Sequence, residues 1–98
     1  MYSNHIYHSR HLGEDMIELS SERLLNRLKY AFDQRRWDEL CKKPHLELER
    51  KYGTRIYALG RNERHVCVEN TLENRMRFPE MLEDVRKAQD GIVDRYNS

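Results

Sequence analysis

Thr54–Asn70, TRIYALGRNERHVCVEN, is the stretch that reads most clearly as β-structure. Two short runs, Thr54–Leu59 and Arg64–Glu69, are rich in Ile, Tyr and Val and flank Gly60-Arg61-Asn62-Glu63, which has turn chemistry. Alternation sets Ile56 and Ala58 against Arg55, Tyr57 and Leu59 in the first run, and Val66 and Val68 against His65, Cys67 and Glu69 in the second. Cross-strand partners share a face, so the register decides which sets meet. An odd-numbered loop gathers Ile56, Ala58, Val66 and Val68 on one buried face, and that register is expected. The other face then carries Arg55, Tyr57, His65, Cys67 and Glu69.

Outward from the hairpin the chain reads as helix. Pro44 to Gly53, PHLELERKYG, places Pro at a first helical position, Glu47 early, Arg50 and Lys51 late and Gly53 as the stop, with Leu48 and Tyr52 facing inward. Further back, Ser20-Ser21-Glu22 looks like a helix start. Leu24, Leu25, Leu28, Ala31 and Phe32 then share a face about 120° wide on a helix. Trp37, Leu40 and Cys41 leave that face, which predicts a break at Asp33–Arg36 with Asp33 capping a short second helix. On the other side, Asn70-Thr71 caps a short turn through Phe78, and Pro79-Glu80 opens the clearest helix. There Met81, Val85, Ala88, Ile92 and Tyr96 form a narrow apolar stripe, interrupted at Gly91. In residues 1–19, Gly13-Glu14-Asp15 is a turn signal, with His5–Leu12 and Met16–Leu19 as either two pairing strands or an arm that orders on a partner.

Composition bounds the class. A chain of 98 residues suits one domain, 1–98, with a real but modest core. Apolar residues make up 38% and charged residues 36%, which together with regular Leu spacing excludes wholesale disorder. No transmembrane or signal segment is evident, and Cys41 and Cys67 alone make no disulfide framework, so a reduced, cytoplasmic protein is expected. The net charge of +1 is unevenly spread, with 12 Lys/Arg against 7 Asp/Glu between Ser20 and Arg64. Arg outnumbers Lys 13 to 5, and Arg suits bidentate contact with phosphate or carboxylate and stacking on aromatics.

Candidate chemistry is sparse. His5, His8 and His11 at spacings of three gather tidily on neither a helix nor a strand. Cys41-x-x-x-His45 with His65-x-Cys67 supplies zinc ligand types without a coherent finger spacing, so no metal and no cofactor are expected. No phosphate loop, nucleophile elbow or metalloprotease pattern is present. Arg55, Tyr57 and His65, with Arg61 and Arg64 near the turn, could cleave RNA with His as acid and base and Arg stabilising the charged phosphorus centre. The order helix, short helix, helix, hairpin also matches a winged helix-turn-helix. Residues 34–43 and 44–52 would be the two-helix unit and Gly60–Arg64 the wing, although Glu47 and Glu49 on the recognition helix would repel phosphate.

These observations predict an α+β fold: an antiparallel hairpin, extended by N-terminal strands if these pair, packed by three or four helices. The expected function is that of a small non-catalytic interaction protein. It would dock on a larger protein or protein–nucleic acid complex as an inhibitor, adaptor or regulator. Arg35, Arg36, Arg55, Tyr57, Arg61 and Arg64 are the expected contacts, because Tyr and Arg anchor interfaces. A winged-helix-like nucleic-acid binder and a small toxin-type RNase are the alternatives. No membrane partner is expected, and the narrow stripe of the last helix offers a homodimer seam.

Overall fold

The computed structural model describes residues 6–9, 14–57 and 66–98. Three strands, β1 (Ile6–Ser9), β2 (Glu14–Ser20) and β3 (Val66–Glu69), form an antiparallel sheet in that order. β2 is central, with Ile17 opposite Ile6 on one side and Val68 on the other. The N-terminal segment is thus part of the sheet and not a loose arm. Glu14 and Asp15, expected in a turn, open β2 instead, with Asp15 opposite His8. The pairing of β2 with β3 slips between Glu18 and Ser20, so Leu19 forms a bulge.

The hairpin register agrees with the sequence. The Tyr57 N–H donates to the Cys67 carbonyl at 2.8 Å and the Cys67 N–H donates to the Tyr57 carbonyl at 3.2 Å. This pair sets Ile56 beside Val68, the register of an odd-numbered loop. The tip itself and its neighbours, residues 58–65, lie outside the described residues. Ile56, Val66 and Val68 are buried against Ile17, Leu48, Met81 and Val85 in a first core beneath the sheet. The opposite face is covered as well. Cys67 and Met16 are both buried there, and Tyr57 is half-buried.

The long helix α1 (Gln34–Tyr52) begins where Asp33 predicts, its carboxylate accepting from the Arg35 and Arg36 N–H groups at 3.1 and 3.3 Å. It does not stop before Pro44. The two helices expected at 34–43 and 44–52 are one, and the recognition unit of a winged helix is not formed. Pro44 removes one intrahelical bond. Burial on both sides of it outweighs that loss, with Trp37 and Cys41 packed in one core and Leu48 and Tyr52 in the other. Gly53 ends the helix at φ 60°, with its N–H on the Glu49 carbonyl. Just beyond, the Glu49 carboxylate accepts the Ile56 N–H at 2.9 Å and His45 Nε2 donates to the Ile56 carbonyl at 2.8 Å. Thus α1 grips the first hairpin strand directly.

Thr71 caps the short α2 (Leu72–Met76) by accepting from the Asn74 N–H at 3.1 Å. α3 (Phe78–Tyr96) follows, and it runs through Gly91 without ending. Its stripe is consumed inside the chain. Met81 and Val85 join the first core, while Ile92, Val93 and Tyr96 join a second core with Leu24, Trp37 and Cys41. A homodimer through this stripe is therefore not available. Gln89 is also buried on α3, where its side-chain oxygen accepts from the Ser20 hydroxyl at 3.0 Å.

The helix expected from Ser20 to Phe32 is replaced by a single 3₁₀ turn, Leu24–Arg27, and a non-helical strap to Asp33. Leu24 is buried and Leu28 half-buried in the second core, beside the Trp37 and Cys41 that sequence periodicity had set on a different face. The two apolar sets meet because the chain reverses between them, not because one helix carries both.

Candidate partner-binding surface

The strap ends in exposed aromatics. Tyr30 is 57% and Phe32 42% exposed, two aromatics close together on one short segment. They are presented, not loose. The Asn97 side chain accepts the Lys29 N–H at 2.8 Å and donates to the Arg27 carbonyl at 3.0 Å. The Tyr96 hydroxyl accepts the Asp33 N–H at 2.7 Å and donates to the Ala31 carbonyl at 2.6 Å. These bonds to the end of α3 account for the missing helix, because they take backbone groups that a helical turn would have used. Phe32 also leans on Trp37, ring centroids 6.2 Å apart, and Trp37 meets Tyr96 edge-on at 5.8 Å.

The first turn of α1 brings Arg35 and Arg36 next to this strap, both exposed. Arg36 is partly committed: its guanidinium lies 4.7 Å from the Tyr96 ring centroid and donates to the Arg95 carbonyl at 3.4 Å. It caps the end of α3 while remaining at the surface. Arg35 and Lys29 make no ion pair among the described residues.

The remaining predicted contacts are elsewhere. Arg55 is exposed and Tyr57 half-buried beyond the far end of α1. A 19-residue helix separates them from Arg35, which is about 27 Å along its axis. Among the described residues, Arg35 and Arg36 therefore do not share a site with Arg55 and Tyr57. Arg61 and Arg64 lie outside the described residues, as does the His65 on which the RNase arrangement depends. Tyr30 and Phe32 were missed by sequence reasoning, which counted Phe32 as core. The usable signal was Asp33 itself: a helix cap there places Phe32, immediately before it, outside the helix that it starts.

Two other apolar spots are exposed, Leu46 on α1 and the pair Leu72 and Met76 on α2. No exposed aromatic accompanies either in the way that Tyr30 and Phe32 stand together, although α2 is itself held by the buried Asn74 side chain, which donates to the Glu69 carbonyl at 2.9 Å. Of the cysteines, Cys41 packs in the second core, where burial and Asp38 push its thiol up to about 11. His45 is held on Ile56 and Glu49, and His5 and His11 lie outside the described residues. Among the described residues no three His, Cys, Asp or Glu side chains converge to hold a metal, and no helix is long and apolar enough to cross a membrane.

A polar network marks the other end of the molecule. Asp84 accepts from Lys51 Nζ and from the Tyr52 hydroxyl, each at 2.6 Å, and Lys51 also reaches Glu80 at 3.2 Å. Hydrogen bonds from Lys51 and Tyr52 hold the Asp84 carboxyl below its usual range, and burial and Asp84 push Tyr52 up to about 12. A tyrosine kept protonated beside a kept carboxylate is a tie between α1 and α3, with no acid or base poised near neutrality. Compared with protein-family models, curated proteins and solved structures, the chain matches none.

Proposed function

We propose that this protein is a small non-catalytic binding module that docks on a larger protein as an inhibitor, adaptor or regulator. The strap and the start of α1 are its contact surface, with Tyr30 and Phe32 as anchors and Arg35 as the charged contact. One observation carries the reading: two aromatics stand in solvent on a segment whose backbone is tied down by Tyr96 and Asn97. A rigid presentation lowers the ordering entropy lost on docking, and aromatic and Arg side chains dominate interface energetics.

The test compares wild type with Tyr30→Ala and the double variant Tyr30→Ala, Phe32→Ala in pull-downs from lysate, with and without nuclease. Melting curves establish that the variants fold. A partner retained by wild type after nuclease, and lost by both folded variants, is the expected result. A partner held equally by the variants, or released by nuclease, overturns the reading.

A further inference from the structure

The two cores share no residue, yet both long helices run through the pair of them. α1 packs Trp37 and Cys41 in the second core and Leu48 and Tyr52 in the first. α3 packs Met81 and Val85 in the first and Ile92, Val93 and Tyr96 in the second. Each helix carries its weakest residue in the interval between the cores. Pro44 lies between Cys41 and Leu48, and Gly91 between Ala88 and Ile92. These are the two least favourable residues of a helix interior. Proline lacks the N–H that would bond the preceding turn, and glycine has the freest backbone.

The two weak points are level with each other. The helices are antiparallel, with Trp37 against Tyr96 at one end and the Tyr52 hydroxyl on Asp84 at the other. Both helices rise equally per residue. Seven residues in from the Trp37–Tyr96 contact, Pro44 reaches the level of Gln89. Eight residues back from the Tyr52–Asp84 contact, it reaches the level of Ile92. Pro44 is thus beside Asp90 and Gly91. Packing does not ask for glycine there, because an added Cβ would meet nothing within 4 Å, and the backbone is not left-handed. Backbone freedom is the property that remains.

The chain crosses this level a third time at Ser20, where β2 ends just after the bulge at Leu19. The Ser20 hydroxyl donates to Gln89, so this crossing is tied by one side-chain bond at the same level. The Arg27–Asp90 ion pair also spans the interval, but both side chains are more than a third exposed, and such a pair adds little.

We infer that the fold carries a hinge at this level, with Pro44 and Gly91 as its hinge residues. The strap, the first half of α1 and the last turns of α3 swing as one rigid lobe against the lobe built on the sheet. Tyr30, Phe32 and Arg35 ride on the moving lobe, so the motion re-aims the surface proposed above without loosening it. The inference itself stands on the two helices and not on that reading.

The experiment measures residual dipolar couplings of backbone amides in the ¹⁵N-labelled full chain, in wild type, Gly91→Ala and the double variant Gly91→Ala, Pro44→Ala. Couplings from residues 34–43 and 92–96 are fitted separately from those of residues 45–52 and 78–90. In wild type the first set should show a loss of order relative to the second, with exchange broadening around residues 44 and 91 on the microsecond-to-millisecond scale of hinge motion. Gly91→Ala should narrow the difference, and the double variant should abolish it. Equal order in the two sets in wild type overturns the inference, and so does a difference that both variants leave unchanged. If the double variant does not fold, Gly91→Ala decides alone, because it adds one methyl group in open space.

Discussion

The Tyr96 hydroxyl stands 2.7 Å from the Asp33 nitrogen, at the residue that ends the strap and whose carboxylate starts α1. The last turn of α3 thereby determines where the first long helix begins. Tyr96→Phe keeps the ring in the second core and removes only the hydroxyl, leaving the Ala31 carbonyl and Asp33 N–H without their partner. The expected loss is about 1–3 kcal/mol, with each kcal/mol lowering Tm by roughly 4–8 °C for a domain of this size. Amide exchange at Asp33 should accelerate more than exchange elsewhere in α1. Unchanged melting and unchanged exchange would show that the strap is held by other contacts.

Pro44 occupies the interior of α1, where it cannot donate to the carbonyl of Leu40. Pro44→Ala restores that donor and should stabilise the chain. The upper bound is about 3 kcal/mol, the helix-interior penalty of proline against alanine. Chemical denaturation measures it directly. A destabilised variant would mean that the packing of α1 between its two cores depends on the proline.

Local signals were legible where the competing interactions are also local. Asp33, Thr71 and Gly53 cap helices as their chemistry dictates, and the Tyr57–Cys67 pair follows from matching Ile56 to Val68. The failures have a common cause. Leu24 to Phe32 has helical spacing, but its backbone is claimed by Tyr96 and Asn97, from 63 to 70 positions away in the chain. No window of sequence contains that competition. The continuity of α1 through Pro44 likewise depends on cores assembled from β2, β3 and α3. For the candidate surface, Arg35 and Arg36 were readable as exposed because they follow the helix start. Phe32 was hidden by the assumption that an aromatic at helical spacing is core, and Tyr30, off that face, was not singled out at all.

Val85 is 1% exposed in the first core, on the face of α3 that meets the sheet and α1. Val85→Asp places a carboxylate there without a partner, which costs several kcal/mol against a total of about 5–15. Unfolding or aggregation in circular dichroism and light scattering is expected. A cooperative melt at the wild-type temperature would place Val85 in solvent.

Asp84 ties α3 to the end of α1, and its sign in pH dependence is determinate. Its folded carboxyl titrates below the usual value because Lys51 and Tyr52 hydrogen-bond to the charged form. The stability it contributes is therefore present above the unfolded pKa of about 3.9 and is lost as pH falls through the lower folded value. Asp84→Asn removes that dependence. The gap in Tm between wild type and variant should be widest near neutrality, narrow below pH ~4 and be smallest at the acid end. Tyr52 supplies the opposite limb. Burial, with the Asp84 bond, pushes its phenol up to about 12, so its contribution is complete below the unfolded value of about 10 and is lost as pH rises through the folded one. Ultraviolet titration of the folded chain should show one late-ionising tyrosine that Tyr52→Phe removes. In Asp84→Asn the same tyrosine should ionise earlier, because a neutral amide no longer opposes the phenolate. If the acid limb of the melting profile is the same with and without Asp84, the carboxylate is solvated in solution and the α1–α3 tie does not bear on stability.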